Sequence, residues 1–236
     1  MHPSRIGNAK LHSAKPAPQV ESDELGNTRY IIGFIIGIIL FVPALLIAHT
    51  HQLNGLEARI FYDFDNLPNG YRVPSLIVTE GLGSAIPIAI CLLVPMLFKR
   101  YRLAWRFAVT AGGAAVVAEV AKKLTKEPRP FAMLHGHLHQ RAIDTGPGFP
   151  SGHETAATAL ALTLWLILPK KWRWLSILWI LVVAVSRLYL GVHTPVDIVG
   201  GFAIGLMAVC FVQLLPQAIA KSLYLSNSDS LLKKGR

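Results

Sequence analysis

Six apolar runs divide this chain, and they leave it few possible folds. They cover about Tyr30–Ala48, Leu76–Phe98, Ala104–Leu124, Ser151–Leu168, Trp174–Tyr189 and Pro195–Leu215. At 1.5 Å per residue, runs of this size cross most of a hydrocarbon layer about 30 Å thick. The fourth has a short purely apolar stretch, but counted from Ser151 it reaches roughly 27 Å. The expected fold is all-α: a polytopic membrane protein with six transmembrane helices. With 53% hydrophobic and 15% charged residues, too little polar surface remains to clothe a soluble domain. Cys91 and Cys210 both sit inside apolar runs, which argues against a disulfide framework.

Residues 1–28 are polar, with Pro3, Pro16 and Pro18, and read as a disordered cytoplasmic tail. Residues 29–220 form the six-helix domain, and 221–236 a cytoplasmic C-terminal tail. The first apolar run lacks a clean small-residue cleavage site, so no cleavable signal peptide is expected. Residues 49–73 are not a span. Within 54–68, Leu56, Ile60, Phe61 and Phe64 make an apolar stripe on a short helix. That helix either lies at the membrane interface or covers the spans as a lid. Tyr62 and Tyr71 suit the headgroup level and favour the interface. Gly112, Gly113, Ala114 and Ala115 allow close helix approach in the third run, and Gly201-x-x-x-Gly205 carries a packing signal in the sixth.

The formal net charge is +10. The basic residues lie mainly between spans, which points to anionic headgroups and topology rather than nucleic acid. With the N-terminus inside, fifteen Lys and Arg residues fall on the inner side and eight on the outer. This bias places both termini in the cytoplasm.

Three polar clusters then fall at one membrane face by span parity. Lys122 through Arg129 and Pro130 end the third span, Pro150-Ser151-Gly152-His153 begins the fourth, and Ser186, Arg187, His193 and Asp197 join the fifth to the sixth. Ser151-x-x-Glu154 is a capping box that starts a helix at Ser151, and free N–H groups near Gly152 and His153 form an anion site. Thr194-Pro195-x-Asp197 repeats the pattern, with Thr194 as N-cap. Asp197 is then placed to hold the His193 ring. Lys122, Arg129 and Arg187, fixed by different elements, match a transferring phosphoryl group whose charge spreads over its oxygens. A merely basic outer rim would explain single residues but not three converging clusters.

These motifs resemble those of the type 2 phosphatidic acid phosphatase superfamily: Lys-x6-Arg-Pro, Pro-Ser-Gly-His and Ser-Arg-x5-His-x3-Asp, all intact here. The resemblance covers roughly residues 75–215 and implies a six-helix bundle related to the haloperoxidases. It implies His193 as nucleophile, His153 as general acid and base, and Asp197 as the residue that orients His193. Lys122, Arg129, Ser151, Gly152 and Arg187 would hold the phosphate. No metal or other cofactor is implied. Lys126 through Phe131 and Gly148 through His153 look most like the bacterial undecaprenyl diphosphate and phosphatidylglycerophosphate phosphatases of this superfamily. The expected location is therefore a bacterial inner membrane, with the site on the periplasmic face and a phosphorylated membrane lipid as partner. The same residues would serve a lipid phosphotransferase, and a non-catalytic lipid-binding or transport protein is the alternative from another class.

Two acids and a histidine run stand beside the motifs. Glu80 and Glu119 lie near the outer ends of the second and third spans. Each reads as a structural ion-pair partner or as a secondary site residue, Glu119 three residues before Lys122. His135, His137 and His139 alternate in the outer loop, a pattern that reads as a wet surface ahead of a zinc site.

Overall fold

A computed structural model describes the backbone of residues 18–50, 52, 55–134, 138–139 and 141–234, and side chains between residues 27 and 215. The chain is all-α. Its helices are α1 (Pro18–Ala48), α2 (Gly55–Asp65), α3 (Arg72–Gly83), α4 (Ala85–Leu97), α5 (Tyr101–Thr125), α6 (Pro130–Met133), α7 (Gly152–Ile167), α8 (Trp174–Tyr189) and α9 (Pro195–Lys234). Helix thus continues into both segments read as tails, while residues 1–17 and 235–236 lie outside the described residues.

Among the described residues, four helical segments are long and apolar enough to cross a membrane: Asn27–Ala48, Tyr101–Met133, Lys170–Tyr189 and Pro195–Leu215. A fifth is made by α3 and α4 together, bent by 41° where they meet. Helix α7, at 16 residues, is shorter than a full span. The chain is therefore a polytopic membrane protein with four or five spans by length, against the six expected.

The second run is broken where one straight helix was expected. Glycine at 81 and 83 weakens the helix there, and Ser84 stops it with extended backbone. Ser84 also caps α4, accepting from the Ile86 N–H, and its hydroxyl donates to the Glu80 carbonyl. The Trp179 indole N–H from α8 donates to the Leu82 carbonyl at 2.7 Å. A broken span in lipid needs such partners, because no water is present to satisfy the freed backbone.

Helix α7 sits at the centre, packed against α5, α8 and α9 and touched by α3 and α4. Its Ala157, Ala159, Leu160 and Ala161 are buried. Thr155 and Thr163 return their hydroxyl protons to carbonyls four residues back, so they add no unsatisfied polar group. The third run packs through an alanine stripe, Ala104, Ala111, Ala114, Ala118 and Ala121. The expected close approach at Gly112 and Gly113 is absent: a Cβ at either would meet nothing within 4 Å. The Gly201 and Gly205 signal holds. A Cβ at Gly201 would come within 2.6 Å of the Ser151 carbonyl oxygen, and one at Gly205 within 2.6 Å of Thr158. These glycines seat α9 directly on α7. Outside this core, Ile35, Ile39 and Leu46 of α1, Trp105 and Val120 of α5 and Leu181 of α8 face outward. Such an inside-out surface suits lipid, where apolar side chains lose nothing by exposure.

The short helix α2 packs over α8 and α9. Its buried residues are Glu57, Phe61 and Asp65, spaced by four, while Leu56 is exposed. Of the expected stripe, Phe61 is buried and Phe64 packs against Tyr189, Leu190 and Val192, whereas Leu56 faces outward and the buried face takes in two acids instead. Glu57 accepts from the Val196 N–H at 3.3 Å, and Phe61 reaches Gly191. The covering role that was ranked second describes these contacts. The buried Arg141 links α2 to the chain between α6 and α7. It donates to the carbonyls of Asp65, Leu67 and Tyr189 and stacks on the Tyr189 ring at 4.4 Å.

Candidate active site

Each of the three clusters begins at a helix end, and local chemistry sets its geometry. Lys122 lies in the last turn of α5. Lys126 caps that helix in the left-handed region at φ 50° and turns the chain back toward Arg129. Arg129 precedes α6, and its guanidinium donates to the Val192 carbonyl at 2.9 Å and the Gly146 carbonyl at 3.2 Å. These bonds hold it 3.4 Å from His193 Nε2.

His193 is fully determined by its surroundings. Thr194 caps α9, accepting from the Asp197 N–H at 3.2 Å, and Asp197 Oδ2 accepts from the Thr194 N–H at 2.8 Å. This closed capping box aims the same Oδ2 at His193 Nδ1, 3.1 Å away. The pair assigns the ring proton to Nδ1 and leaves the Nε2 lone pair facing the arginines. Both side chains are buried, at 1% and 0% exposure. Burial first, then the charges of Arg187, Arg129 and Lys122, hold the His193 pKa well below the ordinary histidine value. The shift favours the neutral ring, the form in which Nε2 keeps its lone pair.

The start of α7 faces this site from the other side. Ser151 caps it as expected, but the reciprocal half of the box does not form. The Ser151 N–H donates instead to the Asp197 carbonyl at 3.0 Å, and Glu154 turns to Thr158. One bond therefore ties the two helix starts together. A Cβ at Gly152 would meet Lys122 Nζ at 3.7 Å, so the first residue of α7 opens onto the lysine. Lys122 and Gly152 share a cavity of about 190 Å³ with Glu119, Ala115, Ala118 and Thr155, running inward between α5 and α7. His153 points toward the break in the second run. A Cβ at Gly83 would sit 3.0 Å from the His153 Cβ, and Glu80 Oε1 lies 3.7 Å from His153 Nε2.

All eight motif residues are thus gathered around one point. Of the secondary acids, Glu80 reaches His153, whereas Glu119 pairs with Lys123 at 3.9 Å rather than with Lys122. His139 joins Asp65 on α2, while His135 and His137 lie outside the described residues. Among the described residues, no group of three His, Cys, Asp or Glu side chains is arranged to hold a metal ion.

Sequence reasoning missed two carboxylates here. Asp144 bridges Arg129 at 3.1 Å and Arg187 at 2.5 Å. Glu127, inside the first motif, is buried with its carboxyl group close enough to that of Asp197 for the two to interact. The position of Glu127 between Lys122 and Arg129 was a usable signal. Asp144 had none beyond lying between the first two motifs.

Comparison with known proteins agrees with this geometry. The PAP2 superfamily pattern matches residues 103–220. An undecaprenyl-diphosphatase of Sulfolobus acidocaldarius is 34% identical over 122 residues, 51% of this chain and 57% of that protein. The YbjG protein of Escherichia coli is 31% identical over 155 residues, 64% of this chain and 76% of its own length. A Bacillus subtilis structure described as a transmembrane PAP2-type phosphatidylglycerolphosphate phosphatase superposes with a TM-score of 0.63 at 22% identity, covering 78% of this chain and 96% of that one. With the profile spanning half the chain, the *E. coli* relative matched over three-quarters of its length, and the motif residues meeting at one point, the chain belongs to the PAP2 superfamily, in its membrane lipid phosphatase branch.

Proposed function

We propose that this protein hydrolyses the terminal phosphate of a membrane lipid through a phosphohistidine intermediate, with undecaprenyl diphosphate first and phosphatidylglycerophosphate second among its substrates. The observation that carries the reading is His193, with Nδ1 3.1 Å from Asp197 Oδ2 and Nε2 turned to Arg129. The Nε2 lone pair attacks phosphorus as the bond to the leaving oxygen breaks, and His153 gives that oxygen its proton. Asp197 offsets the positive charge gained by the ring. Water then attacks the phosphohistidine, losing a proton to His153, and the N–P bond breaks with its electron pair returning to Nε2. Lys122, Arg129, Arg187, Ser151 and the Gly152 N–H stabilise the charge on the phosphoryl oxygens. Among the relatives, the archaeal undecaprenyl-diphosphatase supports the first substrate and the *Bacillus* structure's description the second.

Helix α7 completes a six-crossing bundle in this reading, its short length made up by polar chain at the outer boundary. Residues 1–28 and 221–236 are cytoplasmic, and the site faces the periplasm of a bacterial inner membrane. Ile143, 90% exposed in the outer loop, is the place to test orientation. Ile143→Cys should react with an impermeant maleimide from outside, and Lys171→Cys should not. The reverse labelling would overturn the orientation.

The deciding experiment is phosphate release by purified protein in detergent from undecaprenyl diphosphate, phosphatidylglycerophosphate, phosphatidate and lipid A. Release should persist with EDTA and without an acceptor lipid. Release that needs an acceptor would make the enzyme a phosphotransferase, and no release from any lipid would sink the proposal.

A further inference from the structure

We propose that Asp144 is the resident anion of the phosphate cradle, displaced by a terminal phosphate but not by the phosphodiester headgroups that surround the protein. This rests on the phosphatase reading and names what selects the substrate at that site.

One carboxylate oxygen of Asp144 meets the Arg129 guanidinium at 3.1 Å and the other meets Arg187 at 2.5 Å. Those are the cations assigned to the phosphoryl oxygens, so carboxylate and substrate compete for the same donors. The two arginine side chains are 10% and 4% exposed, while Asp144 is 30% exposed. Of the three groups, only Asp144 can move into water without uncovering a buried charge. Its loop is pinned on both sides, by Arg141 to the carbonyls under α2 and by the Gly148 N–H to the Glu127 carbonyl at 2.8 Å. The carboxylate therefore swings on a short tether and stays at high effective concentration over the cradle.

Asp144 leaves the cradle incompletely used. Arg187 Nε is buried with no hydrogen-bond partner. A carboxylate has two oxygens and one charge, and a phosphodiester likewise offers two free oxygens and one charge. Such a headgroup gains nothing over the tethered Asp144 and must still give up its freedom to bind. A terminal phosphate brings a third oxygen and a second charge, enough to fill Arg187 Nε and displace the carboxylate. Lys122 adds to this preference, since Asp144 makes no ion pair with it. A membrane presents phosphodiester lipids in vast excess, and a bare cradle of three cations would be occupied by them.

The test uses full-length protein in detergent with Asp144→Asn and, as a smaller and independent removal of the charge, Asp144→Ala. Binding of inorganic phosphate is measured by calorimetry without lipid substrate. Inhibition by phosphatidylglycerol is measured in mixed micelles against a constant amount of neutral lipid. Both variants should bind phosphate about tenfold tighter or more and become sensitive to phosphatidylglycerol, to which the wild type is indifferent. Phosphate binding that is unchanged or weaker in a variant that melts like the wild type would overturn the proposal, because Asp144 would then only support the arginines. So would strong inhibition of the wild type by phosphatidylglycerol. Loss of the phosphatase reading shows separately, as wild-type protein that releases no phosphate from any lipid.

Discussion

The starts of α7 and α9 carry the same kind of sequence signal and end in different states. Thr194 and Asp197 close a reciprocal capping box, and the carboxylate that closes it also holds His193. Ser151 and Glu154 do not close theirs; the Ser151 N–H goes to Asp197 and Glu154 turns inward to Thr158. His193 is left 1% exposed and His153 25% exposed, beside a break in the neighbouring span. The difference teaches how one site combines two needs. The His193 side, proposed to carry the nucleophile, is over-determined, so its ring nitrogen has one direction. The His153 side, proposed to carry the acid, stays open next to the bent α3–α4 pair, as passage of a lipid leaving group would need.

That contrast ranks the expected effects of substitution. His193→Ala removes the proposed carrier of the covalent phosphate and should leave no detectable turnover. Acid-labile, base-stable phosphate on quenched wild-type protein should vanish with it. Substantial activity in folded His193→Ala protein would end the nucleophile assignment. Asp197→Asn keeps the ring but loosens its tautomer and its cap, and should retain a rate ~10²–10⁴-fold down. If Asp197→Asn were as dead as His193→Ala while folding normally, the carboxylate would have a role beyond orientation.

On the open side the effects should depend on the substrate. His153→Ala should slow alkyl phosphates strongly and an activated aryl phosphate less, because a good leaving group needs less protonation. Equal losses on the two would count against a general acid. Glu80→Gln should cost least, a few-fold at most in kcat/KM, since its carboxylate is 60% exposed and 3.7 Å from His153. A loss as large as that of His153→Ala would show that the two sides are equally fixed and would break the comparison.

Much of the site was legible in the sequence because its parts are local. Capping at Ser151 and Thr194, Pro195 in the first turn of α9 and Lys122 in the last turn of α5 follow from residues within a few positions of each other. Both ends of α5, α7 and α8, the C-terminal end of α1 and the start of α9 fall within a few residues of the apolar runs for the same reason, whereas α1 begins and α9 ends well outside them. A close helix approach was readable from Gly201 and Gly205, where a Cβ would collide, but that the partner is α7 was not.

What the tertiary structure alone decided involves partners far apart in the chain. The break at Ser84 depends on Trp179 of α8 to satisfy the Leu82 carbonyl. The face that α2 buries is set by Val196 and Gly191, so an apolar stripe that found Phe61 and Phe64 missed the buried Glu57 and Asp65. Asp144 meets Arg187 across 43 residues, and no spacing rule announces an ion pair closed by a loop. The sequence by itself determined most of the apolar helices, the side-chain caps at Ser151 and Thr194 and the residue types at the site. Only the packing of α7 against α5, α8 and α9 decided which charges meet there, because a helix cap is set by its own few residues and an ion pair by everything that brings its partners together.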